Sequence, residues 1–197
     1  YKWILKFHNN TPAPQKNFVF YDETVDPRLK FTRIDYSRLM EGNYGIGKQI
    51  HTIVKRIILT MEDGSTKEIQ SEADKDGNGL IDLTKYGTVV GWRMEMKGDF
   101  VLQSGQGIIL NSYTSFKDPE KTRYDETDAT KNVYKNTGRV TYKTQSNVAK
   151  DQSADWTFKL IPMKESFEIA KRTDYNDVRY TDGQNIRFGL MATKVVL

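Results

Sequence analysis

The stretch QIHTIVKRIILTMEDGSTKEIQ, residues 49–70, decides the fold class. Both of its arms are rich in β-branched residues, and Asp63-Gly64 stands between them, where a reversing chain needs a residue that accepts positive φ. The stretch predicts a β-hairpin. Working outward, YKWILKF (1–7) sets Tyr1, Trp3, Leu5 and Phe7 against Lys2, Ile4 and Lys6, the two-residue period of a half-buried strand. HNNTPAP (8–14) breaks that pattern, and NFVFYDET (17–24) resumes it ahead of the Asp26-Pro27 turn signal and DPRLKFTRIDY (26–36). GWRMEMKGDFVL (91–102), GQGIILNSYTSF (105–116), TGRVTYKTQS (137–146) and DWTFKLIPM (155–163) continue the series. No capped stripe at i, i+3, i+4, i+7 is sustained, although SRLMEGN (37–43) has room for one helical turn. The chain is predicted to be all-β.

A length of 197 residues allows one good core or two small ones. FKDPEKTRYDETDATKNVYKN (116–136) is polar and charged, either an excursion between two strands of one sandwich or a domain boundary. A second seam falls at Met163 to Asp174, after which YTDGQNIRFGLMATKVVL (180–197) echoes the texture of the opening strand. The expected organisation is one module over residues 1–165, followed by terminal strands, a linker or the start of a similar module over 166–197.

The 30 basic and 26 acidic side chains leave a formal charge of +4, spread along the chain with no basic stripe of the kind nucleic acid requires. The excess is compatible with weak attraction to an anionic wall. Zero cysteines exclude disulfides and thiolate metal sites, and with His8 and His51 as the only imidazoles most zinc chemistry is disfavoured. No run reaches the roughly 20 apolar residues of a membrane helix. Tyr1 opens inside a strand pattern, so the stretch is expected to lie within a longer protein, with any leader or wall anchor outside it.

The sharpest local motif is DKDGNGLID (74–82), where Asp74, Asp76 and Asn78 offer side-chain oxygens, Leu80 its carbonyl and Asp82 a direct or water-mediated ligand, in calcium-loop spacing. Lys85 replaces the bidentate Glu of such a loop, so the two readings are calcium completed by another acid such as Glu72, or a polar turn at Asn78-Gly79. EGNYGIGK (41–48) fits neither phosphate-binding fingerprint and reads as a loop. Asp22, Glu23, Asp26, Asp35 and Glu95 supply carboxylates, but spacing alone cannot converge two of them as a glycosidase needs. No Ser/His/Asp, GxSxG or HExxH pattern is legible, so no catalytic residues and no enzyme activity are expected. Trp3, Trp92, Trp156, Phe18, Phe20, Phe100 and Phe158 read as core; Tyr113, Tyr124, Tyr134, Tyr175 and Tyr180 flank polar stretches and read as exposed. Loops 41–48 and 116–136 are the first places to look for a ligand surface.

The order of these signals, HNNTPAP, NFVFYDETVDPRLKF, the hairpin around MEDGSTKEI, DGNGLIDL and then VVGWRMEMKGDFVLQSGQGIIL, resembles the immunoglobulin-like conserved-repeat modules of Gram-positive, adhesin-type cell-surface proteins. The resemblance covers roughly residues 1–165. It departs from the usual pattern at DETVDP (22–27) and in the long polar excursion. It implies an immunoglobulin-like β-sandwich, exposed on a bacterial surface or secreted, without disulfides, in tandem with adjacent modules. Implied partners are a host or neighbouring-cell surface protein or a glycan; the alternative is a carbohydrate- or protein-binding module of a secreted protein, with calcium as the one candidate cofactor. Modules of this kind sometimes cross-link a Lys to an Asn beside a buried carboxyl, which here would pair Lys2 or Lys6 with Asn132, Asn136 or Asn147. Alternation places both lysines on the wetter face, opposite Trp3 and Phe7, and so favours ordinary solvated lysines.

Overall fold

The computed structural model describes residues 1–36, 40–41, 53–69, 79–161, 165–173 and 188–196. The chain divides into compact units of Tyr1–Lys159 and Leu160–Leu197. The expected boundary at 165/166 falls at the first residues of a strand, Glu165–Thr173, which pairs antiparallel with Phe188–Val196 to form the hairpin of the second unit.

The first unit carries strands β1 (Lys2–His8), β2 (Gln15–Val25), β3 (Leu29–Asp35), β4 (Met40–Glu41), β5 (Val54–Met61), β6 (Thr66–Ile69), β7 (Leu80–Asp82), β8 (Val89–Met96), β9 (Val101–Leu102), β10 (Gly107–Phe116), β11 (Val133–Thr144) and β12 (Ala149–Lys159). Their pairing makes a sandwich. One layer runs β6-β5-β8-β2-β11-β12, the other β1-β10-β3-β7, and every ladder is antiparallel. The layers join at a single pair, Phe31↔Val89, where β3 passes onto β8, so hydrogen bonding is continuous through a sheet that curls over on itself. The all-β, immunoglobulin-like expectation is met in this form.

The hairpin at 54–69 forms as its sequence requires. Gly64 sits at φ 81°, Met61 N–H donates to Ser65 O, and Asp63 Oδ1 accepts from the Ser65 amide and hydroxyl. Alternation then sorts side chains by face: Phe18, Phe20 and Asp22 of β2, Tyr134, Asn136, Val140 and Tyr142 of β11, and Trp3 and Phe7 of β1 are buried. Each fully buried Phe contributes about 1.5–3 kcal/mol by leaving water.

The polar excursion is shorter than its composition suggests, because Phe116 ends β10 and Val133 begins β11. It is tied by its own side chains. Asn132 donates its amide to Asp125 O and accepts from Asp125 N–H, while the Arg28 guanidinium donates to the carbonyls of Lys131 and Val133 and lies 3.9 Å over the Tyr134 ring. Tyr134 is consequently buried against Phe116 and Phe158, a correction to its expected exposure.

Candidate functional site

β1 pairs only with β10 and β12 only with β11, so each ends its layer with an outer edge that no described strand occupies. These edges approach each other across the core. Tyr1 stacks on Phe158 at 3.8 Å between ring centroids, Phe7 meets Tyr142 at 5.0 Å, and a groove of about 530 Å³ lies along the seam. Its walls are the consecutive runs Trp3 to Phe7 and Gln152 to Trp156. Neighbouring residues of a strand point to opposite faces, so a groove lined by unbroken runs is bounded by backbone edges.

Trp156 stands at the end of this groove. It pairs with the buried Asn136 and therefore shares the core-facing side of its sheet, yet it is 70% exposed. Trp3 and Trp92 are buried as expected; Trp156 is not, because β12 is exposed along nearly its whole length.

Polar groups form the floor. Asp22, 3% exposed, accepts a 2.6 Å hydrogen bond from the Ser112 hydroxyl at Oδ2. Burial pushes its carboxyl up to about 6, opposed by hydrogen bonds from the Ser112 and Asn136 side chains. Asp22 Oδ1 and Asn136 Oδ1 are both buried without a donor. Gly138 lets β1 pack closely over this point. It lies beside Asp22 in the β2–β11 ladder, and a Cβ there would fall 2.5 Å from Leu5 Cδ1, so only a glycine leaves room for the β1 side chain at this point.

The residues singled out from the calcium spacing are distributed otherwise. Asp74, Asp76 and Asn78, with Glu72, lie outside the described residues. Leu80 opens β7 opposite Asp35. Asp82 Oδ1 accepts from the Thr84 amide and hydroxyl, bonds that hold its carboxyl below the usual range. Among the described residues no three His, Cys, Asp or Glu side chains gather as a metal site. Of the glycine-rich loop only Glu41 is described, paired through its backbone with Gly107 in β4, the place where a helical turn had room to form.

The candidate carboxylates do not converge: Glu95 pairs with Arg56 at 2.7 Å and Asp26 with Arg28 at 2.8 Å, whereas Asp22 faces the core. His8 Nδ1 lies 2.7 Å from Asn10 Oδ1, and His51 is outside the described residues. Lys2 and Lys6 are exposed, Asn132 is bound to Asp125 and Asn147 occupies a turn at φ 63°, so of the three asparagines Asn136 is the one beside a buried carboxyl. Tyr124 is exposed, Tyr113 lies under the Arg33 guanidinium at 3.9 Å, and Tyr175 and Tyr180 are outside the described residues. A second cleft, at the 117–132 excursion, is rich in Lys and Arg, but Lys117, Lys121 and Lys131 are paired with Glu62, Asp118 and Asp125.

No family model matches the chain, and no curated protein matches it. Among solved structures it is similar to ACE19, the collagen-binding subdomain of the Enterococcus faecalis surface protein ACE, at 12% identity and a TM-score of 0.38, over 81% of this chain and 86% of that one.

Proposed function

We propose that this chain is a structural or adhesive module working without catalysis outside a bacterial cell, and that it engages a protein partner through the β1/β12 seam. The observation that carries this reading is the seam itself: two facing strand edges, a groove between them and a large aromatic side chain left uncovered at its end. The order of turn and strand motifs supports the surface setting, and a cysteine-free chain needs no particular redox compartment. Against catalysis, Asp22 is shifted by burial and by two neutral side chains, with no second ionisable group acting on it. A carbohydrate-binding role is the second reading, favoured by the exposed indole of Trp156 beside the groove, since aromatic faces accept sugar rings.

Binding of the whole chain to immobilised matrix proteins, collagen among them, and to a glycan array tests both readings. Protein binding that Trp156→Ala abolishes is the expected result; binding confined to glycans moves the assignment to the second reading. A wild-type chain that binds neither overturns the adhesive assignment.

A further inference from the structure

Away from the seam, we propose that the cleft at the 117–132 excursion binds a sugar bearing a single carboxylate, with Arg123 holding the carboxylate and Tyr124 the face of the ring. The cleft is about 590 Å³, within the range that small ligands occupy. Its walls are set before a ligand arrives. The Thr122 hydroxyl donates to Asp118 O at 2.8 Å, Asn132 exchanges two hydrogen bonds with the backbone of Asp125, and the Arg28 guanidinium donates to the carbonyls of Lys131 and Val133. A long loop fixed in this way on a β-sandwich presents its side chains at little ordering cost on binding.

Five cations line the cleft, and four are already held: Arg28 pairs with Asp26, and Lys117, Lys121 and Lys131 each have a carboxylate. Among the described residues Arg123 is the exception. It is exposed, and its guanidinium donates to its neighbour's carbonyl, Thr122 O, at 3.3 Å. A guanidinium fork with no acid on it takes a carboxylate through two parallel hydrogen bonds. Tyr124, 37% exposed in the same lining, offers its ring to the apolar side of a pyranose. Glu126 also lines the cleft, outside the described ion pairs, and its carboxylate accepts from hydroxyls. These groups together choose the ligand. With Asp118, Asp125 and Glu126 in the lining, a polyanion or an acidic peptide meets repulsion once its first charge is placed, whereas one carboxylate on a hydroxyl-rich ring is matched at each point.

The test titrates the whole chain, followed by NMR chemical shifts at neutral pH, with sialyllactose and with cellobiouronic acid, each against its own methyl ester, which removes the charge and keeps the rings. At least one acid is expected to bind roughly tenfold tighter than its ester, and which one does so identifies the source as a sialylated or a uronate glycan. Arg123→Gln should erase that preference with the melting temperature unchanged, because the side chain is exposed, while Trp156→Ala at the seam should leave the preference intact. Acids that bind no better than their esters, no binding of any of the four, or a preference that survives Arg123→Gln overturns the proposal. A preference lost with Trp156→Ala and kept with Arg123→Gln overturns it as well, by moving the sugar to the seam.

Discussion

At one corner of the sandwich β3 passes onto β8 through Phe31 and Val89, both buried, with Leu83 N–H donating to Thr32 O to fix the crossing. At the opposite corner β1 and β12 face each other across a groove, with Tyr1 stacked on Phe158 of β12 and Leu5 of β1 over Gly138 of β11. The difference is one of side chains. Where apolar residues meet from both layers the sheet closes on itself; where a glycine, an uncovered tryptophan and a buried acid replace them, two strand edges have no described strand beside them. Stability should therefore concentrate at the first corner and ligand response at the second.

The largest expected effect comes from the closed corner: Phe31→Ala should cost about 3–5 kcal/mol in denaturant unfolding, because a filled core site is emptied where two layers join. Next, Gly138→Val should cost about 1–3 kcal/mol, since the new side chain enters space held by Leu5. Adding Leu5→Ala should return part of that loss, a coupling that chemical denaturation of the single and double variants measures.

The sequence made the strands of the closed corner readable because alternation and turn residues are local properties. The hairpin at 54–69 and the inward faces of β1, β2 and β8 follow from spacing alone. The open corner was not readable, because the same period-2 pattern describes Trp156 with a strand opposite it or without one. Asp22 was likewise one carboxylate among several until the ladder placed it beside Gly138 and across from Ser112. A small residue in a strand interior, Gly138, was the available signal, but one glycine marks bulges and close approaches alike.

Acid should sharpen the contrast. A carboxyl raised to about 6 in the fold, against an ordinary value of 3.8, stabilises the protein in its protonated form. That contribution is complete below pH 3.8 and is lost as pH rises through 6. This carboxyl should thus make the chain more stable at pH 5 than at pH 7.5, by on the order of 1 kcal/mol. Asp22→Asn should flatten the profile over that interval, which lies above the titration of depressed carboxylates such as Asp26 and Asp82. Smallest of all, Trp156→Ala should leave the melting free energy within about 0.5 kcal/mol of wild type, because its ring covers little, while partner binding is lost.

Amide hydrogen exchange of the free protein tests the open seam most directly. Every second amide of β12, and of β1 between Trp3 and Phe7, should exchange rapidly, while the alternate amides, bonded to β11 and β10, stay protected. Uniform protection along both strands would mean that the edges are already paired, and the seam as a place for another chain would be contradicted.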